Sequence, residues 1–249
     1  MRIVSWNCNG ALRKKREELD KLDADVFVIQ ECENPEESTK DYRNWAGNYL
    51  WIGESKNKGI GVFAKKENIV NKLEHNGSFE MSCINSSSPS LRWETSSLRL
   101  FLPFIINNNV QVLGVWTKGS DSEAFGYIGQ FWKYLQIHKN DLSSNKQIIL
   151  GDFNSNKRWD KPDRWWSHSD VVNELHDIGI QSLYHHKYNE SHGSESKPTF
   201  YLHRKESKPY HIDYAFVSKS YLQSEIVIGE TEKWLMLSDH LPLIIDLKS

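Results

Sequence analysis

Two polar side chains stand directly after one of the most apolar runs in this sequence, where a predicted strand ends. Asp152 and Asn154 follow the run 148–150 and Gly151, and they share a face if the extended geometry continues. A carboxylate and a carboxamide at the mouth of a buried strand lose hydration, so they need polar partners. Gly, Asp and Asn are also frequent turn formers, so this stretch by itself fits a plain strand-to-loop turn equally well.

Polar residues recur at the ends of other apolar runs. Asn7 and Glu31 each close a run near the N-terminus, and Asp239 and His240 lie just before the last one. Asp213 lies inside an apolar run, where a core residue would be expected. Each has an ordinary structural explanation in a turn, a strand end, an exposed strand face or a packed loop. Because strand ends meet along one edge of a sandwich, the whole set together favours a shared site.

The residue types in this set suit the hydrolysis of a phosphate ester. Glu31 offers a hard anionic oxygen to Mg²⁺, or to Mn²⁺ as a substitute. Mg²⁺ takes few protein ligands and keeps several waters, so Asn7 and Asp239 would complete or orient its coordination shell. The metal would neutralise charge on the phosphoryl oxygens and on the leaving oxygen.

The remaining members of the set would handle protons and the phosphate. Asp152 is placed to orient or deprotonate the attacking water. Asn154 is a neutral donor that can hold a phosphate oxygen without quenching Asp152. A protonated His240 would donate to the phosphate as its charge develops, and Asp213 would hold the imidazole and favour its charged form.

The composition is that of an ordinary globular chain, with 249 residues of which 38% are hydrophobic and 26% charged. This length allows a sizeable core, and we expect one domain over residues 1–249. The net charge of −2 gives no overall basic field for nucleic acid, but it does not exclude a local basic patch. Three scattered cysteines, Cys8, Cys32 and Cys83, argue against a disulfide framework and favour a reducing, cytoplasmic location. No signal peptide or membrane span is predicted.

The apolar patterns predict about ten strands and three or four helices. The predicted helices cover residues 11–22, 123–139 and 169–178. The predicted strands cover residues 2–7, 25–30, 49–53, 59–64, 69–73, 98–106, 110–116, 148–150, 199–202, 211–217, 225–228 and 243–247. Residues 107–109 should join two of them as a hairpin, and residues 85–90 should form a loop. This mixture favours two packed sheets with helices outside.

The polar segments, taken in order, resemble the endonuclease/exonuclease/phosphatase superfamily, which includes exonuclease III, the apurinic/apyrimidinic endonucleases and pancreatic DNase I. The segments that carry the resemblance are Trp6-Asn7-Cys8-Asn9-Gly10, Gln30-Glu31, Gly151-Asp152-Phe153-Asn154, Ile212-Asp213-Tyr214 and Ser238-Asp239-His240-Leu241-Pro242. They span nearly the whole chain in the family's order. The resemblance implies an α/β fold, a four-layered α/β/β/α sandwich of two mixed β-sheets flanked by helices. It also implies a metal-dependent phosphodiesterase or phosphomonoesterase with the residue roles described above.

One position departs from the family pattern. Repair nucleases of this family usually place a Tyr at the end of the hairpin's second strand, and DNase I places a His there, to touch the phosphate. Trp116 aligns best with that position. An indole N–H can donate but can neither accept nor titrate, so the carried-over role is in doubt there. Lys118 is the candidate that would substitute for it electrostatically.

Two further segments favour nucleic acid as the substrate. Thr199-Phe200-Tyr201 resembles a Thr-Phe-Trp segment of exonuclease III-like members, which makes Tyr201 a candidate substrate contact. The loop after the central motif interleaves basic residues with tryptophans, a pattern that suits a phosphate backbone and stacked bases. Its candidate residues are Lys157, Arg158, Trp159, Lys161, Arg164, Trp165, Trp166 and His168. The alternative is that the tryptophans anchor the loop to the sandwich, the cations are merely solvated, and His168 caps the following helix.

Three functions therefore compete. The leading one is a Mg²⁺-dependent nuclease, which would act on DNA or RNA by in-line attack of water activated by Asp152. The second keeps the family and changes the substrate to a small-molecule or lipid-headgroup phosphate. The third is a binding module without catalysis, which the presence of all seven catalytic-type residues disfavours. Neither a membrane nor an obligate protein partner is expected.

Overall fold

Two six-stranded sheets stacked face to face form the centre of the computed structural model, which describes residues 1–81, 92–120 and 123–248. The strands are β1 (Arg2–Asn7), β2 (Val26–Cys32), β3 (Tyr49–Ser55), β4 (Lys58–Ala64), β5 (Val70–Lys72), β6 (Ser78–Glu80), β7 (Arg92–Glu94), β8 (Phe101–Ile106), β9 (Val110–Trp116), β10 (Gln147–Asp152), β11 (Ile180–Ser182), β12 (Phe200–Tyr201), β13 (Pro209–Tyr210), β14 (Asp213–Ser218), β15 (Glu225–Ile228) and β16 (Leu243–Asp246). The helices are α1 (Arg16–Asp20), α2 (Lys40–Ala46), α3 (Ile128–Leu142), α4 (His168–Asp177), α5 (Leu183–Tyr188) and α6 (Thr231–Trp234).

Each large sheet has one parallel pair at its centre and antiparallel neighbours outside it. The first sheet has the order β15-β16-β1-β2-β4-β3, and the second has the order β11-β14-β10-β9-β8-β5. The parallel pairs are β1 with β2 and β9 with β10. A parallel pair needs a crossover connection, and the segments that carry α1 and α3 supply it. Both sheets are therefore mixed.

Apolar side chains fill the space between the sheets and cover their outer faces. Val28 of the first sheet and Leu150 of the second belong to one buried cluster between them. Tyr42 of α2 packs on the outer face of the first sheet, and Phe131 of α3 packs on the outer face of the second. The order helix, sheet, sheet, helix confirms the predicted four-layered sandwich. No helix in the described part of the chain is long and apolar enough to cross a membrane.

Two of the predicted helices are wrong in extent. The segment 11–22 holds only a short 3-10 turn and the five-residue α1, because Ala11 is left-handed at a φ of 54° and the turn ends at Lys14. The helix predicted over 123–139 begins at Ile128, because Tyr127 has a φ of 52°, and it continues to Leu142. The predicted loop at 85–90 lies outside the described residues.

Other local predictions are confirmed. α4 begins within one residue of its predicted start, where Ser167 and Asp170 form a reciprocal capping box. β8 and β9 form the predicted hairpin, and Asn107 and Asn108 turn it with φ values of 50° and 53°. Asparagine tolerates this left-handed conformation better than most residues, which suits a tight hairpin turn.

Candidate active site

The ends of four strands meet at one edge where the two sheets come together. β1 and β2 are neighbours in the first sheet, and Asn7 pairs with Gln30 in their register. β10 and β14 are neighbours in the second sheet, and Asp152 pairs with Asp213. The side-chain amide of Asn7 donates to Oδ2 of Asp152 at 2.9 Å. This hydrogen bond joins the two sheets at the edge that carries the polar residues.

Asn7 holds two carboxylates at once. Its Nδ2 also lies 3.4 Å from Oε1 of Glu31, and its Oδ1 accepts the backbone N–H of Asn9 at 3.0 Å. Only 1% of Asn7 is exposed, so these contacts account for its buried amide. The arrangement is that of a residue which orients Glu31 and Asp152, one of the two roles that the sequence left open.

A glycine lets β10 pass close to β9 immediately before the site. Gly151 has a φ of 146°, and a Cβ there would lie 1.9 Å from the carbonyl oxygen of Val115, so only glycine fits. The next residue, Asp152, accepts the backbone N–H of Asn154 on Oδ1 at 2.9 Å. Asn154 is left-handed, with a φ of 46°, and donates Nδ2 to the carbonyl of Thr117 at 3.1 Å. The turn therefore fixes the Asp152 carboxylate, and one amide hydrogen of Asn154 has no partner among the residues that the structure describes.

A buried carboxylate–imidazole pair faces Asp152. Nδ1 of His240 lies 3.0 Å from Oδ2 of Asp213, whose backbone N–H donates to Oγ1 of Thr199. The ring of Phe200 packs on the imidazole, with 4.6 Å between the ring centroids. Nε2 of His240 lies 4.0 Å from Oδ2 of Asp152, which is too far for a direct hydrogen bond. A single oxygen atom of a water or a phosphate can bridge the two groups.

Burial and mutual charge tune these groups in a way that suits proton transfer. Burial raises the pKa of Asp152 to about 7, outweighing the opposing charge of His240, and the nearby Asp213 adds to the rise. Burial alone would lower the pKa of His240, but the carboxylates of Asp213 and Asp152 outweigh it and raise the value to about 9. Between these two values Asp152 is an anion that can accept a proton, and His240 is a cation that can donate one.

A β-bulge places Glu31 beside this cluster. The register of β2 against β4 shifts between Gln30 and Cys32, and Glu31 itself has a φ of 61°. Such a bulge re-aims a side chain at a sheet edge. Oε2 of Glu31 forms an ion pair with Nζ of Lys58 at 2.6 Å. A cationic group thus already lies on the carboxylate that the sequence predicts as a metal ligand.

The oxygen donors around Glu31 fit a hard divalent cation. Oδ1 of Asp239 accepts Nδ2 of Asn9 at 2.9 Å, and Asn9 is tied in turn to Asn7. The turn that contains Asn7 and Asn9 thus links Asp239 to Glu31 through hydrogen bonds. Carboxylate oxygens are the ligands that Mg²⁺ takes, and the ammonium of Lys58 shows that a positive charge is stable against Glu31.

The sequence profile of the Endonuclease/Exonuclease/phosphatase family matches residues 4–240, a span that contains every residue of this cluster. The chain belongs to this family. The resemblance predicted from the sequence is confirmed. Enzymes of the family generally use divalent metal ions, in agreement with the acidic and histidine groups gathered here.

Solved structures of low sequence identity share the fold over all or most of their length. NExo, a 3′ phosphatase from Neisseria bound to a product DNA hairpin, has a TM-score of 0.69 at 18% identity, with all of both chains covered. An AP endonuclease from Archaeoglobus fulgidus has a TM-score of 0.64 at 16% identity, again over all of both chains. The APE2 catalytic domain from Xenopus laevis has a TM-score of 0.62 at 18% identity, covering 100% of this chain and 92% of that one. No curated protein sequence matches the chain significantly.

The position that departs from the family pattern lies beside Asp152. Trp116 pairs with Asp152 across β9 and β10 and is 4% exposed. Lys118 places its Nζ 5.0 Å from the Trp116 ring centroid and 2.7 Å from Oε2 of Glu54. Both residues therefore stay candidates for a phosphate contact, with Lys118 held in place by an acidic partner.

Two of the predicted substrate contacts, Tyr201 and His168, are buried and have polar partners inside the protein. The hydroxyl of Tyr201 lies 3.0 Å from Oγ1 of Thr231, and its ring belongs to the core cluster outside the first sheet. The imidazole of His168 is buried with both nitrogens engaged, Nδ1 on Ser155 and Nε2 on His192. Ser167, and not His168, is the N-cap of α4. In both cases a polar partner inside the protein occupies the group that would have touched the substrate.

The tryptophan-containing loop at residues 157–168 fits both of the interpretations that the sequence left open. Trp165 packs edge-on against Trp132 of α3, with 5.0 Å between ring centroids, and stays 44% exposed. Trp166 lies 4.4 Å from the Phe125 ring. These rings anchor the loop to the sandwich, whereas Arg164 is half-buried and forms no ion pair with any described residue.

Sequence reasoning missed three residues that contact the predicted set. Asn9 donates to Asp239, Lys58 pairs with Glu31, and Phe200 packs on His240. Asn9 and Phe200 lie inside segments that already carried the family resemblance, so a closer look at those segments could have found them. Lys58 is the first residue of β4, and its partner Glu31 lies on the neighbouring strand β2, so no local pattern in the sequence indicates the contact.

The pKa directions predict a bell-shaped pH profile of activity. Activity should rise as Asp152 ionises, near pH 7, and fall as His240 loses its proton, near pH 9. Asp213→Asn removes an anion that favours the imidazolium, so the pKa of His240 falls and the alkaline limb moves to lower pH by about 1 to 3 units. Measurement of kcat/KM against pH for both proteins tests this, and an alkaline limb that stays in place would contradict it.

Proposed function

We propose that the protein is a metal-dependent phosphodiesterase that hydrolyses nucleic acid. Asp152 takes a proton from the attacking water, and His240, held by Asp213, donates to the phosphate as its charge develops. Asn154 donates its available amide hydrogen to a phosphate oxygen. Asn7 keeps the base in position between the two sheets, since it donates to Asp152 at 2.9 Å.

The 4.0 Å gap between Nε2 of His240 and Oδ2 of Asp152 carries this proposal. A buried acid and a buried base face each other across a space that one oxygen atom would fill. A purely structural ion pair would close to a direct hydrogen bond of about 2.7 to 3.2 Å. The open spacing therefore favours a role in which a water or phosphate oxygen lies between them.

Glu31 and Asp239 are the residues that would hold a Mg²⁺ ion, with Asn7 and Asn9 fixing their orientation. When bound, Mg²⁺ supplies Lewis-acid stabilisation of the charge on the phosphate and leaving oxygens. The protein's part is to present two carboxylates without burying either completely, which leaves room for the waters that Mg²⁺ keeps.

An aromatic row that leads from an exposed loop to His240 supports nucleic acid as the substrate. Trp159 is 48% exposed and lies 5.4 Å from the ring of Tyr210. Tyr210 lies 6.3 Å from Phe200, which packs on His240. Such a row suits the stacking of bases next to the phosphate that is attacked. The DNA hairpin bound to the similar NExo structure also supports this substrate class.

Basic side chains of the loop that carries Trp159 also support nucleic acid as the substrate. Lys157 and Lys161 are exposed and, within the part of the chain that the structure describes, take part in no ion pair. Arg158 uses its Nε on the carbonyl of Gly193 at 2.7 Å, and its terminal nitrogens, which have no partner among the described residues, can bind a phosphate. A local basic group of this kind can bind a phosphate backbone even though the net charge of the chain is −2.

Trp159→Ala should raise the KM for nucleic acid by about 5- to 150-fold, because a stacked base contributes about 1 to 3 kcal/mol. Trp165→Ala is the matched control, since that ring packs on Trp132. The control should leave KM nearly unchanged and lower the melting temperature instead. Steady-state kinetics on a labelled oligonucleotide separates the two, and equal effects on KM would contradict the role of the aromatic row.

A substrate panel tests the proposed function directly. The full chain is assayed with Mg²⁺ on labelled single- and double-stranded DNA, RNA and abasic DNA, and on inositol phosphates. Metal-dependent cleavage of a nucleic acid that Asp152→Asn abolishes would support the proposal. Turnover of the small esters with every nucleic acid untouched would shift it to a small-molecule phosphatase. A folded protein that is inert on the whole panel would overturn it.

A further inference from the structure

A second cluster of titratable side chains lies between α4, α5 and the segment 189–199, outside the catalytic set. Its members are His168, His185, His192, Glu195 and His211. The mechanism proposed above uses none of them. The cluster belongs to no motif in the sequence, because its members come from four separate stretches of the chain.

Three of these residues have the spacing of a metal centre. One ligand atom each of His185, His192 and Glu195 lies within 4.8 Å of the other two. Nε2 of His185 lies 3.1 Å from Oε1 of Glu195. Tetrahedral Zn²⁺ with bonds of about 2.0 to 2.1 Å sets its ligand atoms about 3.3 Å apart, which is close to this distance. Rotation of the His192 ring would turn its nitrogen to the same ion.

Hydrogen bonds behind these ligands hold them in place. Nδ1 of His185 lies 2.7 Å from Oγ of Ser182, so the hydroxyl can accept Nδ1–H when an ion replaces the hydrogen between Nε2 and Glu195. Oε1 of Glu195 accepts the backbone N–H of Gly193 at 2.9 Å, and Oε2 accepts Nδ2 of Asn156 at 3.1 Å. Outer partners of this kind on a histidine and a carboxylate are typical of metal sites.

The imidazoles of His185 and His192 lie face to face. The rings of His185 and His192 are stacked with centroids 3.5 Å apart and 14° between their planes, so two positive charges there would repel. A neutral imidazole has a lone pair that a metal can take.

One further nitrogen in the cluster lacks a donor. Nδ1 of His211 lies 2.7 Å from the carbonyl of Lys197 and must carry the hydrogen. Its Nε2 is then an acceptor, and it is buried without a partner among the described residues. The ring lies 5.9 Å from that of His185. An unpaired buried acceptor is costly, and a water bound to a cation in the cluster would satisfy it.

We propose that His185, His192 and Glu195 form a structural Zn²⁺ site. Two imidazoles and one carboxylate suit Zn²⁺, whereas Mg²⁺ and Ca²⁺ take oxygen ligands. A cavity of about 250 Å³ lined by His185 and His192 gives the ion an entry path. The ion fastens the segment 189–199 to α5. Through Asn156, which bonds Glu195, it also supports the loop that follows Asn154.

Zn²⁺ titration of the full chain tests this site. The metal-stripped protein, with excess Mg²⁺ present to saturate the Glu31 region, is titrated with Zn²⁺ by calorimetry and by thermal unfolding. Wild type should bind one equivalent and gain melting temperature. His192→Ala and Glu195→Gln should each weaken Zn²⁺ by about 100-fold or more, and Ser182→Ala by about 10- to 100-fold. His186→Ala is the matched control on α5, since His186 is exposed and is not one of the three ligands.

The readout is metal affinity and stability, so it does not depend on catalysis. Should His192→Ala fail to fold, the isosteric Glu195→Gln decides the result. Co²⁺ in place of Zn²⁺ should give the strong visible absorption of a tetrahedral site, and lose it in the same variants. Wild type without a Zn²⁺-dependent rise in melting temperature would overturn the proposal. So would unchanged Zn²⁺ affinity in the folded ligand variants, which would place the ion at another candidate cluster, either His75 with His138 and Asp141 or the catalytic set.

Discussion

Asp152→Asn is expected to lower kcat by about 10²- to 10⁴-fold while the protein stays folded, because it removes the group that accepts the proton from water. The amide keeps the size of the carboxylate, but it has one acceptor oxygen, whereas Asp152 accepts Asn7 on Oδ2 and the N–H of Asn154 on Oδ1, so one of the two hydrogen bonds is lost. The variant should also lose the acid limb of the pH profile, since the pKa of Asp152, raised to about 7 by burial, sets that limb. Single-turnover kinetics on the best substrate of the panel measures the effect.

Asp163→Asn is the matched control, because Asp163 is an exposed carboxylate in the following loop. It should leave kcat unchanged. Circular dichroism and the melting temperature establish that Asp152→Asn is folded. A folded Asp152→Asn with nearly full kcat would contradict the role of Asp152 as the base. Another titrating group would then have to set the acid limb near pH 7.

Glu31→Gln should lower kcat/KM by about 10³-fold at limiting Mg²⁺, because a metal contributes several kcal/mol to stabilising the transition state. A neutral amide oxygen binds Mg²⁺ more weakly than a carboxylate, so added Mg²⁺ should restore part of the activity. Isothermal titration with Mg²⁺ and kinetics at several Mg²⁺ concentrations measure both effects. Removal of the metal with a chelator should abolish the activity of the unmodified protein.

Lys58→Met should change Mg²⁺ affinity in the opposite direction from Glu31→Gln. It serves as the control for charge at this position. Lys58 pairs with Glu31 at 2.6 Å and competes with a cation for the same oxygen. Since a partly exposed ion pair is worth up to about 1 kcal/mol, its removal should tighten Mg²⁺ binding by about 5-fold. Weaker Mg²⁺ binding in Lys58→Met, or unchanged binding in Glu31→Gln, would contradict the assignment of Glu31 as a ligand.

The layered fold could be predicted because hydrophobic patterns are local. Alternation and short apolar runs mark strands regardless of where their partners lie, so the hairpin of β8 and β9 and the strand before Asp152 were readable. The predicted helix boundaries were wrong where single residues such as Ala11 and Tyr127 adopt a left-handed conformation that no local pattern indicates. Tertiary packing decides those positions, because it must outweigh the local preference against positive φ.

The sequence by itself determined which polar residues would stand at the ends of buried strands, because a core excludes unpaired carboxylates and amides. Only the tertiary structure decided how they meet. It set Asn7 between Glu31 and Asp152, and left His240 4.0 Å from the base.

Long-range packing also decided the contacts that lie farther from these strand ends. It turned Tyr201 inward and put Phe200 on His240. The same packing gathered the scattered histidines around Glu195. Distances between residues far apart in the chain depend on the register of both sheets and on their stacking. No single segment of the sequence determines either of them.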